Sequence, residues 1–350
     1  MRRPDSISFG LIGAGRIGRA YASAFGSCSV ARLVAVADTD PRACREAAWH
    51  AGCVAVDDLR TMADPTFVDA ALVCTPPSTH TEITTYLLEH GVHVLCEKPL
   101  AFDAVTARAM LDCANSSGVT LTMASKYRFV DDIIRAKSIA ASGLLGDIIL
   151  FENSFTAHVD MMDRWNADPA MSGGGVLIDN GTHSADLMRY FLGSLASVQA
   201  FEGRRIQQLP VEDTVRLFAL SSSGVMGNID LSWSVHKDQD EYVGIYGTTG
   251  TLHVGWHASR YRRTSHGSRG DWVVFGNGYD KLAALASQLD NFARALMGEE
   301  RLVITPEDSL ASVEVIEAAY AALRGGGWVS VGGRSARPHS VALATAGTRA

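Results

Sequence analysis

The chain has no run of eighteen apolar residues, so it offers no helix of the length a bilayer crossing requires. It also lacks paired cysteine motifs. Its six cysteines, Cys28, Cys44, Cys53, Cys74, Cys96 and Cys113, lie in the first 113 residues, and none forms a C-x-x-C pair. That spacing argues against a structural zinc site, and no metal ligand set is expected. The thiols read as reduced, mostly buried small hydrophobes, which suits a reducing compartment. Basic charge is in short supply: 31 Lys and Arg face 38 Asp and Glu, a net −7. This argues against nucleic acid or an anionic membrane as partner. Arg2-Arg3 opens the chain, but no separate apolar segment or small-residue cleavage site follows, so a cytoplasmic protein is expected. No internal repeat is seen.

What the chain does have is GLIGAGRIG at Gly10–Gly18. It joins an apolar stretch, Ile7–Ile12, to a helical pattern beginning near Ile17. Gly13, Gly15 and Gly18 fit G-x-G-x-x-G, the turn that lays a dinucleotide pyrophosphate against a helix N-terminus. The first glycine permits the turn, the second lets backbone approach phosphate, and the third lets helix and strand pack closely. A second apolar stretch, Arg32–Ala37, ends in Asp38, 20 residues beyond Gly18, where an acidic side chain can accept from both ribose hydroxyls. A 2′-phosphate would meet Asp38 and Asp40, with no cation until Arg42, so NAD is favoured over NADP.

Up to about residue 124, strands alternate with helices. The strands are Ile7–Ile12, Arg32–Ala37, Val68–Cys74, Val92–Cys96 and Val119–Ala124; the helices are Arg16–Ala24, Pro41–Ala51, Thr79–Glu89 and Ala104–Ser116. Short continuous apolar strands between helices predict a parallel sheet covered on both faces, a doubly wound Rossmann domain over 1–124. Beyond it the pattern changes to period two, with Ile229, Leu231, Trp233 and Val235 pointing one way. Val198–Arg204, Thr214–Leu220, Glu241–Tyr246 and Thr251–Val254 are similar candidates. The alternation predicts a domain with a mostly antiparallel sheet for 125–334. Two helices close it: Leu282–Met297, and one capped by Thr305 with Pro306 in its first turn. Residues 335–350 are expected to be a disordered tail.

Two clusters carry chemistry. Cys96-Glu97-Lys98-Pro99 sits at the carboxyl end of a strand, where open α/β sheets bind ligands. Pro99 restricts Lys98, whose charge can stabilise a developing alkoxide; a surface lysine before a turn is the plainer reading. In Gly173–Gly193, a helix starting near Asp179 puts Asp179 and His183 four apart on one face, continued by Leu187 and Phe191 and ended by Gly193. A carboxylate beside an imidazole can hold a general base in one tautomer; equally, Asp179 can be a cap and His183 a partly buried histidine.

Together with Thr75-Pro76-Pro77-Ser78-Thr79-His80, Tyr127-Arg128-Phe129, Val211-Glu212-Asp213-Thr214 and Gly247-Thr248-Thr249-Gly250-Thr251, these clusters resemble the Gfo/Idh/MocA oxidoreductase family through to about Gly332. The resemblance implies that 125–334 is an α+β domain with a large open sheet, used for substrate binding and oligomerisation. It also implies hydride transfer between a nicotinamide and a secondary alcohol of a sugar or cyclitol, and dimers or tetramers built on the second-domain sheet. Carried over, Lys98 is the catalytic lysine, His183 the general base, and Asp179 the residue that orients substrate or supports the base. The implied cofactor contacts are Gly13, Gly15, Arg16, Ile17, Gly18, Asp38, Thr75, Pro76, Pro77, His80, Glu97 and Lys98. Those to substrate are Lys98, Arg128, Arg164, Trp165, Asn166, Asp179, Asn180 and His183. Trp165 can stack on a sugar or sit in the core, Asn180 can bind substrate or cap the turn, and His158 reads as structural. Residues 126–250 carry 10 basic and 16 acidic side chains, a net −6, which would favour an amino sugar such as an aminoglycoside; a solvated acidic surface explains it as well. The rival readings are a keto-sugar reductase, a glycosidase using transient oxidation through NAD, and a non-catalytic dinucleotide sensor.

Overall fold

The computed structural model describes residues 5–265 and 268–333, so Arg2-Arg3 and the tail from 335 lie outside the described residues. Strand and helix alternate through β1 (Ile7–Ile12), α1 (Arg16–Ala24), β2 (Ala31–Ala37), α2 (Pro41–Ala51), β3 (Val54–Val56), β4 (Ala70–Val73), α3 (His80–Glu89), β5 (His93–Glu97), α4 (Ala104–Ser116) and β6 (Leu121–Ala124). The strands pair in parallel in the order β3-β2-β1-β4-β5-β6. Every residue of β4 is buried, because helices cover both faces of a parallel sheet and leave no position for a polar side chain. The short edge strand β3 escaped the sequence reading. Its three residues are half-buried or exposed and carry no apolar run long enough to stand out. Chain order reverses between β1 and β4, which opens a crevice beyond their carboxyl ends.

The rest of the chain forms α5 (Asp131–Ala141), β7 (Ile148–Thr156), α6 (Pro169–Ser172), α7 (Val176–Leu192), β8 (Leu195–Glu202), β9 (Thr214–Ser221), β10 (Met226–Ser232), β11 (Glu241–Gly247), β12 (Gly250–Gly255), β13 (Ser259–Ser265), β14 (Ser268–Arg269), β15 (Val273–Gly276), α8 (Lys281–Leu296), α9 (Pro306–Gly325) and β16 (Val329–Ser330). The large sheet runs β14-β13-β12-β11-β7-β10-β9-β8-β16, with β15 beside β13. All its pairs are antiparallel except β7 with β10. Val215, Leu217, Ile229 and Leu231 turn inward beneath α7 and α9, while Phe201, Phe218 and Met226 stand on the open outer face. The alternation at period two holds through Trp233 and fails at Val235, which is 37% exposed beyond the strand end.

Helix α9 starts as expected: Thr305 and Asp308 form a reciprocal capping box, with Pro306 in the first turn. Helix α8 does not close the second domain. Its Leu285, Leu289 and Phe292 join Phe9, Tyr21 and Phe25 in one core cluster on the Rossmann sheet. A helix remote in sequence thus completes the first domain, and period alone cannot say which sheet an apolar stripe will cover.

Candidate active site

The crevice at the switch between β1 and β4 is part of a cleft of about 720 Å³. Its first wall is the glycine turn. Gly13 has φ +98°, and any side chain there would strike the Cys74–Thr75 backbone. At Gly18 an added Cβ would run into the Gly13 carbonyl, so this glycine permits close packing rather than touching a ligand. Gly15 differs from both: the space a side chain would take is open, with nothing within 4 Å. The free N-terminus of α1 lies beside that space, an arrangement that fits a pyrophosphate. Asp38 lines the cleft at the end of β2; it accepts from the Ala14 amide at 2.5 Å and the Asp40 amide at 2.7 Å. The residues present therefore fit a dinucleotide. Arg16, Ile17, Thr75 and Pro76 line the same wall.

At the end of β5, Glu97 is buried and accepts from the Tyr21 hydroxyl (3.1 Å) and the Lys98 amide (3.1 Å). Burial pushes its carboxyl pKa up, offset in part by the positive charges of Lys98 and Lys126. The Lys98–Pro99 peptide bond is cis. The Lys98 ammonium crosses to the second domain, pairing with the Asp179 carboxylate and donating to the Asp179 carbonyl at 3.0 Å.

Helix α7 brings Asp179 there. It starts at Val176 rather than near Asp179, so Asp179 lies in its first turn and is not its cap. The capping is done from a distance. Buried Glu212 accepts from the Gly175 amide (2.9 Å), the Leu177 amide (3.1 Å) and the Tyr320 hydroxyl (2.7 Å). A carboxylate there satisfies two of the helix's free N–H groups and matches the positive end of its dipole. This leaves Asp179 free for Lys98, so its carboxylate does not orient His183 as the sequence suggested.

His183, one turn on, is buried with Nδ1 lacking a hydrogen-bond partner among the described residues, and the Tyr127 ring meets it edge-on at 5.0 Å. Burial, with the charges of Lys126 and Lys98, holds the imidazole pKa well below its ordinary value. A neutral imidazole in a cleft is competent to accept a proton. Lys126, pushed down to about 8 by burial, and Tyr127 line the cleft beside it.

Arg164, Trp165, Asn166 and Asn180 reach the cleft as the sequence suggested. Four expected contacts do not, Gly18 being the first of them. Arg128 is buried against Asp186 (2.6 Å) and Asp308 (3.0 Å), a structural anchor facing away from the cleft. His80 is fully buried; its ring nitrogens lie 2.8 Å from the Pro99 carbonyl and 2.9 Å from that of Thr75, tying two cleft loops together from behind. Pro77 is likewise buried, in the turn that precedes α3. His158 is exposed, stacks on His236 at 4.3 Å and forms an isolated backbone bridge with Ser234. Lys126, Lys281, Val159, Met161 and Trp233 line the cleft without having been singled out. Of these, Lys126 had a signal, its place one residue before Tyr127-Arg128-Phe129. Among the described residues no group of His, Cys, Asp and Glu is arranged to hold a metal ion. No helix there is long and apolar enough to cross a membrane.

Comparison with known proteins agrees with this geometry. Residues 7–125 match an oxidoreductase family model with an NAD-binding Rossmann fold, and residues 133–253 match the GFO/IDH/MocA C-terminal domain. Inositol 2-dehydrogenase of Rhizobium meliloti (strain 1021) is 26% identical over 336 residues, 90% of this chain and 96% of its own. D-glucoside 3-dehydrogenase of Escherichia coli (strain K12) is 32% identical over 202 residues, 56% of this chain and 57% of its own. Among solved structures, a levoglucosan dehydrogenase in complex with NADH and levoglucosan has a TM-score of 0.86 at 22% identity, covering 93% of this chain and 99% of its own. GenD2 from gentamicin A biosynthesis, in complex with NAD, has a TM-score of 0.81 at 25% identity, covering 95% and 98%.

Proposed function

The chain belongs to the Gfo/Idh/MocA oxidoreductase family, and from that premise we propose that it oxidises a secondary ring hydroxyl of a sugar or cyclitol to the ketone. The observation that carries this reading is the meeting of the Lys98–Asp179 pair with His183 in the cleft that holds the glycine turn. The named relatives, an inositol and a glucoside dehydrogenase, act on that substrate class and support it.

Lys98 binds the reacting hydroxyl and favours its alkoxide form by charge. Asp179 fixes the Lys98 ammonium in place, and His183 takes the hydroxyl proton. What NAD supplies when bound is an acceptor for the hydride that leaves the carbinol carbon. Trp165, 40% exposed at the cleft, offers an apolar face to a sugar ring, with Asn166 and Asn180 as hydrogen-bonding partners.

The acidity of residues 126–250 favoured an aminated substrate. Around the Lys98–Asp179 pair, Lys126, Arg164 and Lys281 line the walls, while Asp38, Asp57, Asp58 and Glu97 line the same cleft. The cleft lining is balanced in charge, so aminated and unaminated sugars both belong in the substrate panel. The open outer sheet face, with Phe201, Phe218 and Met226, supports assembly into a homo-oligomer, which light scattering would measure.

The test is NADH absorbance with NAD and a panel of sugars, amino sugars and inositols. Growth of signal with one class supports the reading and names the class. Silence across the panel, with NAD binding confirmed by calorimetry, would overturn it in favour of a sensor or a hidden-redox glycosidase.

A further inference from the structure

Two lysines, not one, stand beside His183, and they differ in what holds them. Lys98 is neutralised on the spot by the Asp179 carboxylate. Lys126 has no hydrogen bond or ion pair among the described residues; its ammonium lies 5.1 Å from the centre of the Tyr127 ring, the ring that also meets His183 edge-on. A paired ammonium projects a short-range dipole, whereas an unpaired one projects a full charge through a poorly solvated cleft. We infer that Lys126 is a positioning residue for proton transfer, whose unpaired charge adds to the burial of the ring in keeping His183 in the neutral form that can act as base. The inference rests on the role proposed above for His183.

The surroundings of the imidazole make Lys126 the main unbalanced charge. Glu97 and Lys98 come from the end of β5, and Lys126 and Tyr127 from the turn after β6 (Lys126–Phe129). Tyr242 and Tyr279 pack on Tyr127 and are titratable only at high pH, both raised by burial. On α7 itself, Asp179 is engaged by Lys98, and Asp186 is closed against Arg128. Two carboxylates act on Lys126, Glu97 more than Asp179, and both are shared, Glu97 with Lys98 and the Tyr21 hydroxyl and Asp179 with Lys98. Lys281 of α8, in the same cleft, acts on Lys126 in the opposite sense. Burial and the two lysine charges act on His183 in the same direction, Lys126 the larger of the two.

The experiment is an NMR titration of histidine-labelled protein without added ligands, with the His183 signal assigned by its loss in His183→Asn. In Lys126→Met the His183 titration is expected to move to higher pH, and in Lys126→Arg to stay with the wild type. An unmoved His183 in a folded Lys126→Met protein overturns the inference. A second readout is the acid limb of kcat/KM with whatever substrate the panel yields, which should move up in Lys126→Met and return with Lys126→Arg. If the panel yields none, the titration still decides the role of Lys126, so the two readings fail separately.

Discussion

Lys98 and Asp179 lie 81 positions apart in the chain, yet the Lys98 ammonium is held by both the side chain and the main-chain carbonyl of Asp179. The pair fastens the end of a Rossmann strand to the first turn of a second-domain helix. It sits on the cleft, so the same contact that joins the domains also fixes the direction of the charge proposed above to act on the substrate hydroxyl. Replacing Asp179 with Asn keeps a similar shape and removes the fixed anion. We expect kcat to fall by about 100-fold, the scale of losing one organised electrostatic contact. Lys98→Met should fall at least as far. NAD affinity by calorimetry should change less than kcat in both. A variant of either kind with wild-type turnover would remove the pair from the mechanism.

The glycine turn makes two different demands that neighbouring substitutions separate. Gly18→Ala drives a methyl group into the Gly13 carbonyl and should lower stability by about 1–3 kcal/mol. Gly15→Ala meets no protein atom within 4 Å, so its melting temperature without ligand should match the wild type. Its methyl instead occupies the space assigned to the pyrophosphate, and NAD affinity should drop by about tenfold or more, roughly 1.4 kcal/mol. Calorimetry and thermal melts on the two proteins would show the contrast. Equal NAD affinity in Gly15→Ala and wild type would move the pyrophosphate elsewhere.

Arg128 was expected to touch substrate, and its environment says otherwise. Its guanidinium is sandwiched between Asp186 and Asp308 and stacks on Tyr190 at 5.0 Å. Removing one partner of a buried pair leaves an uncompensated charge, so Arg128→Ala should cost about 3–5 kcal/mol in denaturant unfolding. Under conditions where the variant remains folded, its substrate KM should stay within a few-fold of wild type. A large KM change at unchanged stability would restore the substrate contact.

The alternation of buried strands and helices was legible because a parallel sheet under two helical layers needs continuous apolar strands, as all-buried β4 has. Caps were legible for the same local reason: Thr305 and Pro306 act within one turn. What stayed hidden depends on partners far away in the chain. Nothing near Arg128 announces Asp186, 58 residues on, so a structural guanidinium and a ligand-binding one look alike. Asp179 looked like a cap because the true one, Glu212, comes from the loop before β9. Lys126 had only its place before Tyr127-Arg128-Phe129 to mark it; that it faces the cleft follows from where β6 ends beside β5, a tertiary fact.

Asp38 offers a test of cofactor choice. Both its oxygens accept backbone amides at the rim of the cleft, which holds the carboxylate where a ribose 2′-position would come. A 2′-phosphate placed there meets a fixed negative charge, so we expect NADP to be a poorer cofactor than NAD by about 100-fold in kcat/KM, near 3 kcal/mol. In Asp38→Asn the charge is lost while one acceptor remains. The gap between the two cofactors should narrow, mostly through better use of NADP. An unchanged ratio would assign the discrimination to another residue.

His183 ties activity and stability to pH in the same direction. An unfolded histidine takes a proton near pH 6.5, whereas the native ring, buried and facing two lysine charges, takes it only at lower pH. Between those two points the unfolded state binds more protons, so the stability of the native state falls as the solution is acidified through that window. At pH 7 and above both states hold a neutral ring, and His183 contributes no slope. The acid limb of kcat/KM should therefore lie below pH 6.5, since the base stays unprotonated until then. In His183→Asn the acid limb should vanish along with about 100-fold or more of the rate, and the fall in melting temperature from pH 6.5 to 5 should become shallower. A wild-type acid limb at or above pH 7 would mean that another group, or a protonated His183, governs the proton transfer.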